Sequence, residues 1–220
     1  MHLLQPQTEV NISSLVSTLS TDDSDISAKP VQLSQWAKLS SEADQVDWLI
    51  LHFNHWFSHL NVTLVKGDFE PEYFPAVKDA PARIQFAHGF FNSALHEISH
   101  WTIAGDKRRL LPDLGYWYAP DGRTSEQQAL FEQVEIKPQA IEWLFAHAFG
   151  RKFRVSLDNL TGDGGDGTAF KDNVYAQLQR YFSGEAKLPR DAQHFIQSIC
   201  TCTRNGKTLQ SNEFLREMLD

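Results

Sequence analysis

The chain has 220 residues and a formal charge of -8, from 20 Lys+Arg against 28 Asp+Glu. Hydrophobic residues make up 41% and charged residues 22%, with 6 Trp and 15 Phe. That composition excludes a wholly disordered chain and supplies the core of one domain. The acidic balance argues against an extended nucleic-acid groove, and no apolar run approaches the ~20 residues of a membrane span.

The first 31 residues read as a flexible tail. They are rich in Ser, Thr and Asp, with one Lys against Glu9, Asp22, Asp23 and Asp25, and such a segment gains little from folding alone. No basic stretch followed by an apolar run opens the chain, so the cytoplasm is the expected compartment. The composition changes near residue 32, and 32–220 is expected to be one α+β domain, a small sheet flanked by helices.

Ser41 and Asp44 form a capping-box-like start, and apolar residues at 46, 49, 50, 53, 56, 57 and 60 continue at helical spacing. His52, His55 and His59 share one side of this segment and read as solvated or hydrogen-bonded helix residues rather than metal ligands. Residues 61–65 read as a strand, and Gly67 and Asp68 turn the chain. Pro71, Pro75 and Pro81 make 70–82 a loop. Alternation over 83–88 predicts a second strand. A helix is expected from residue 92 or 93 to 104, closed by Gly105, then an aromatic loop over 110–123. A long helix spans 125–148, with Ser125 as N-cap; Pro138 within it removes a donor, frees the carbonyl of Val134 and predicts a kink. Residues 153–157 read as a strand and 162–167 as a Gly/Asp surface turn that lacks the terminal Glu of a calcium loop. Helices near 169–183, 189–201 and 210–218 close the chain. Cys200 and Cys202 are too few for a four-cysteine zinc site, too close for an unstrained disulfide, and expected as reduced thiols.

One motif carries chemistry: His96-Glu97-Ile98-Ser99-His100. Residues four apart share a helix face, so both imidazoles can hold one metal from a rigid turn. With 9 His and 12 Glu in the chain, a random shuffle produces the pattern about one time in fifty. A third ligand is needed, and the helix at 125–148 offers Glu126, Glu132, Glu135 and Glu142. Glu135 is the choice, because it sits beside the carbonyl freed by Pro138; Glu132 and Glu142 are in reserve. Gln139 is four residues on and is expected to hydrogen-bond a ligand imidazole.

Two histidines and a carboxylate serve two chemistries. In a zinc hydrolase, a peptidase or ribonuclease-like enzyme, Glu97 would be the general base acting on a metal-bound water. In a non-haem iron oxygenase the same ligands leave positions open for oxygen and substrate. Spacing alone favours the hydrolase. A non-catalytic binding domain with a structural metal is a third reading.

Several blocks reach further. His-Glu-Ile-Ser-His-Trp with Ala-Gly (96–105), Gly-Tyr-Trp-Tyr-Ala-Pro-Asp-Gly-Arg (115–123) and Phe-Glu-Gln-Val-Glu-Ile-Lys-Pro-Gln-Ala-Ile-Glu-Trp (131–143) resemble the elongation factor P hydroxylase family. So do Val-Lys-Gly-Asp (65–68) and Phe-Ala-His-Gly-Phe (86–90). The resemblance covers about residues 43–183. It implies a compact metal-site fold, similar to a bacterial endoribonuclease of rRNA maturation and unlike a jelly roll. It also implies hydroxylation of the lysyl-modified lysine of translation elongation factor P. Iron(II) is the implied metal, molecular oxygen the cosubstrate, and the two-His, one-carboxylate centre falls on His96 and His100, with Glu135 as the chosen acid. Glu97 then orients the site or moves protons. No motif reads out an electron donor; Arg83 and Arg123 are the cations that would clamp a 2-oxoglutarate cosubstrate.

Tyr116, Trp117 and Tyr118 suit a lysyl chain, since their faces pack on its methylenes and attract its ammonium. Asp113 or Asp121 would pair with that ammonium, and Arg123 closes the same loop. The basic run at 107–109 is expected on the rim, against an acidic surface of the protein substrate. A monomer that works without nucleic acid or membrane is the expected assembly.

Overall fold

The computed structural model describes residues 36–115, 124–156 and 167–220. The tail at 1–31, the Gly/Asp turn at 162–166 and the aromatic loop at 116–123 lie outside the described residues.

Helix α1 (Glu42–Trp56) starts where Ser41 accepts from the backbone of Asp44. Its apolar stripe buries Val46, Leu49 and Phe53. Three strands follow: β1 (Val62–Lys66), β2 (Glu72–Phe74) and β3 (Ala82–Phe86). They pair in the order β1-β3-β2. β1 runs parallel to β3 with Leu64 opposite Ile84, and β2 runs antiparallel with Tyr73 opposite Ile84. Val62, Leu64, Ala82, Ile84 and Phe86 are buried, which is the period-two signature of a sheet with one face on the core. A Cβ on Gly67 would lie 2.6 Å from the Gln85 side chain, so the turn after β1 needs its glycine.

β2 occupies part of the stretch expected to be a loop. Pro71 and Pro75 flank it without entering it, and a three-residue edge strand tolerates them there. Its middle residue ties the sheet to the next element: the Tyr73 amide donates to Asp113 (3.1 Å) and its hydroxyl to the Arg109 carbonyl (2.9 Å).

Helix α2 (Phe91–Arg108) takes its first cap from another helix, because the Phe91 amide donates to Glu42 of α1 at 3.1 Å. The expected stop at Gly105 is present as a break: Gly105 has φ 65 and ψ 174, and one more turn follows it to Arg108. Helix α3 (Ser125–Ala148) has the expected span, but Thr124 is its N-cap and forms a capping box with Gln127. It continues as one helix through Pro138. Helices α4 (Thr168–Ser183) and α5 (Arg190–Thr203) complete the layer. Two expectations fail here. Residues 153–156 pair with no strand, and the end of the chain forms two short 3-10 turns, Ser211–Glu213 and Arg216–Leu219, instead of an α-helix.

Aromatic rings fill the space between the helices. Phe53 and Phe57 of the α1 end meet Trp101 of α2 and Phe195 of α5, with ring centroids 5.1 to 6.1 Å apart. Trp36 packs on Trp48, Phe91 and Phe149. His52 belongs to this core: it stacks on Trp48 at 3.7 Å and its Nδ1 donates to the Trp48 carbonyl at 2.7 Å. His59 lies beyond the end of α1, in a 3-10 turn, so the three histidines make no common line. Cys200 and Cys202 are unpaired, and burial pushes the Cys200 thiol up to about 11. No described helix is long and apolar enough to cross a membrane.

Within the basic run at 107–109, Lys107 is exposed, while Arg108 and Arg109 are half-buried and bonded within the fold. Arg109 lies over the Trp101 ring at 3.7 Å, donates to the Trp101 carbonyl and pairs with Asp191 of α5 at 2.6 Å. Arg108 donates to the carbonyls of Leu114 and Gly115. Carbonyls exposed by the break at Gly105 and the turn at 112–115 attract these guanidinium forks more than solvent does. The Arg109 and Asp191 side chains are only 12% and 10% exposed. Asp191→Ala is therefore expected to lower the unfolding free energy by ~3 kcal/mol, the cost of an uncompensated buried cation, read from the midpoint of urea denaturation.

Candidate metal centre

α2 and α3 lie side by side, and the centre forms on their facing sides. On α2, Leu95, Ile98 and Trp101 are fully buried and anchor the helix. His96 and His100, four residues apart, then point together toward α3. On α3, Glu135, Gln139 and Glu142 are spaced by four and three, which is one helical face, and all three are buried.

His96 Nε2 lies 3.1 Å from His100 Nε2. Glu135 closes the triangle, with Oε1 3.2 Å from His100 Nε2 and Oε2 3.6 Å from His96 Nε2. Donors bound to one ion at about 2.1 Å stand ~3.0 Å apart at right angles and ~3.4 Å apart at tetrahedral angles. The observed triangle fits one first-row transition-metal ion, and two imidazoles with a carboxylate are a suitable donor set. Among the described residues, this is the one group of three or more such side chains that converges on a single point.

The surroundings favour positive charge at that point. Burial alone would push His96 down, but the hydrogen bond to Glu142 and the charges of Glu142, Glu135 and Glu97 outweigh it and hold His96 up at about 10. Burial would raise Glu135, yet the charge and hydrogen bond of His100, then His96 and Gln139, bring it down to about 2. Glu97 and Glu142 have no such surplus of cations, and burial raises both carboxyls above the usual range.

The expected residues divide as follows. The structure brings His96, His100 and Glu135 together. Glu97, on the same helix, is half-buried at the edge of the cluster. Gln139 is buried but does not touch an imidazole. Its amide N–H donates to the Ser156 carbonyl at 2.8 Å and to Glu135 at 3.5 Å, and its oxygen accepts from the Ser156 amide at 3.0 Å. It pins the segment after α3 and lies against the Glu135 carboxylate. The imidazole partner is Glu142 instead, whose Oε2 accepts from His96 Nδ1 at 2.8 Å. Its spacing of seven from Glu135, two helical turns, was the signal available in the sequence. Glu132 accepts from Gln128 at 3.1 Å. Asp113 is engaged by Tyr73, and Arg83 lies over the Phe74 ring at 4.3 Å. Tyr116, Trp117, Tyr118, Asp121 and Arg123 fall outside the described residues.

Comparison with known proteins agrees with this centre's sequence setting. Residues 52–214 match the Elongation factor P hydroxylase family. A protein of Haemophilus influenzae named elongation factor P lysine hydroxylase is 50% identical over 147 residues, which cover 66% of this chain and 82% of that protein. The match spans both ligand-bearing helices, and the chain belongs to the elongation factor P hydroxylase family.

Proposed function

We propose that this protein is an oxidoreductase that hydroxylates the lysyl-modified lysine side chain of elongation factor P, a monooxygenase-type reaction at an iron(II) centre held by His96, His100 and Glu135. The observation that carries the reading is the convergence of these three donors within a chain that is 50% identical, over 147 residues, to a named elongation factor P lysine hydroxylase. Iron(II) with molecular oxygen would supply the oxidising chemistry. The reaction converts a C–H bond to C–OH, and the second oxygen atom leaves as water with two electrons and two protons from a reductant. The cytoplasm, where translation factors work, is the compartment this reading requires.

The chain's own residues prepare the site. His96, His100 and Glu135 would hold the ion, and a set of two imidazoles and one carboxylate would leave it positions for oxygen and substrate. The packed aromatic rings around α2 hold the two helices at fixed spacing, so the triangle does not collapse or spread. Gln139 limits rotation of the Glu135 carboxylate. Glu97 sits beside the centre with its carboxyl raised by burial, which suits a group that holds a proton and passes it on. The aromatic run at 116–118 is the proposed seat of the lysyl chain. Gly115 leads into it from a turn clamped by Arg108, and the Thr124 capping box follows it.

His96→Ala, His100→Ala and Glu135→Ala are each expected to abolish metal retention and hydroxylation with the fold intact; Glu132→Ala, which loses only its contact with Gln128, is expected to be mild. The checks are metal analysis of anaerobically purified protein and mass spectrometry for one added oxygen on the modified lysine. Retained metal and turnover in Glu135→Ala would reassign the carboxylate ligand.

Glu97→Gln distinguishes the chemistry. A hydroxylase keeps measurable turnover, whereas a zinc hydrolase would lose its base and ~10²-fold or more of its rate. Tight zinc and oxygen-independent cleavage would replace the hydroxylase reading altogether.

Trp117→Ala is expected to slow turnover of lysylated elongation factor P by roughly ten-fold, the ~1–2 kcal/mol of a desolvated cation–aromatic contact. Equal rates would remove the 116–118 run from the substrate path.

A further inference from the structure

His96 has two nitrogens, and different groups claim them. Nε2 faces His100 and Glu135, at 3.1 and 3.6 Å. Nδ1, on the far side of the ring, faces Glu142 Oε2 at 2.8 Å. Glu142 is a buried carboxylate, 8% exposed as a residue, projecting from the same face of α3 as Glu135. An ionised carboxylate only accepts hydrogen bonds, so its partner nitrogen must carry the proton. When a metal displaces the Nε2 proton, the proton that remains on the ring is the one on Nδ1, and the Nε2 lone pair is aimed into the donor triangle.

We propose that Glu142 is a positioning residue for the metal centre: it fixes His96 in the tautomer and ring orientation that present Nε2 to the ion. The inference rests on the metal-centre reading above and adds a member that binds no metal itself. A carboxylate behind a ligand imidazole also makes that ligand a stronger base, and loss of such a partner typically costs 10–100-fold in metal affinity. Glu142 thereby does what the sequence led one to expect of Gln139. Gln139 is one turn earlier on the helix, and its amide is already committed to both backbone groups of Ser156.

The test is cobalt(II) titration of the full chain under anaerobic conditions, beside urea denaturation of the same variants without added metal. Glu142→Ala is expected to bind cobalt(II) ~10–100-fold more weakly. Glu142→Gln keeps an oxygen that can accept from Nδ1–H, and is expected to recover at least about three-fold of that loss. A residue that merely supported the fold would change the denaturation midpoint and not separate the two variants in affinity. A second readout is the ring nitrogen spectrum of zinc-loaded protein by long-range proton–nitrogen NMR. The His96 Nδ1–H is expected to be protected from solvent exchange in the wild type and Glu142→Gln, and to exchange rapidly in Glu142→Ala. Cobalt(II) affinity unchanged in Glu142→Ala would overturn the proposal. So would Glu142→Gln losing the metal as completely as His96→Ala, because that marks Glu142 as a direct ligand. His96→Ala, run alongside, separates the two levels: if it binds cobalt(II) normally, the metal-centre reading itself fails; if it does not, the result at Glu142 bears on positioning alone.

Discussion

Three carboxylates and two imidazoles crowd one buried contact between α2 and α3, and the rest of the molecule is arranged around that concentration of charge. Glu135, Glu142 and Glu97 would repel one another at low dielectric if all were ionised with nothing positive among them. The structure answers in two ways. His96 is held up at about 10 and so carries positive charge near neutrality, and the Glu97 and Glu142 carboxyls are pushed up by burial. A divalent ion on the Nε2–Nε2–Glu135 triangle would supply positive charge there too, and binding it would displace a proton from His96. The electrostatic preference for a cation and the geometric fit to one therefore have the same origin, the packing of two helix faces.

That packing must be stiff, because the donors come from different helices and a shift of about 1 Å would spoil the triangle. Stiffness comes from outside the centre. Trp101, one residue past His100, is clamped between the Phe53–Phe57 rings and the Arg109 guanidinium. Arg109 in turn reaches Asp191 and so ties α2 to α5. Tyr73 connects the sheet edge to the Arg109 carbonyl and to Asp113. The sheet, the end of α2 and the turn before residue 116 form one braced unit, held in part by Arg108 and Arg109.

What could be read from the sequence was whatever depends on local periodicity. The spacing of His96 and His100, the span of α3 and the strands at β1 and β3 all follow from residues within a few turns of one another. What could not be read depends on contacts made across the fold. β2 is three residues between prolines, and only its pairing with β3 makes it a strand. Gln139 and Glu142 are both buried on one helix face, and the course of residues 153–156 decides which of them meets the backbone and which meets an imidazole. Arg109 looks like any exposed cation in sequence, and its buried partner is 82 residues away. The closing segment is amphipathic enough for a helix, yet Glu213 is drawn to Arg204 and His147, and the chain turns there instead.

The same donor set also explains why spacing alone pointed toward hydrolysis. A His-Glu-x-x-His helix places its Glu about 100° around the axis from the first ligand, near enough to the ion to act on a bound water or on a bound substrate. Which one it acts on depends on the cavity that the other elements build. A water base works as the ionised carboxylate, and the pull of burial on Glu97 runs the other way, toward the protonated acid. The opposing pulls are the charges of His96 and His100, which lower Glu97, and those of Glu135 and Glu142, which raise it. Burial is the largest of these influences, and it leaves the Glu97 carboxyl above the usual carboxylate range. The charges that reach Glu97 come from both α2 and α3, so the motif by itself does not fix how tightly its Glu holds a proton.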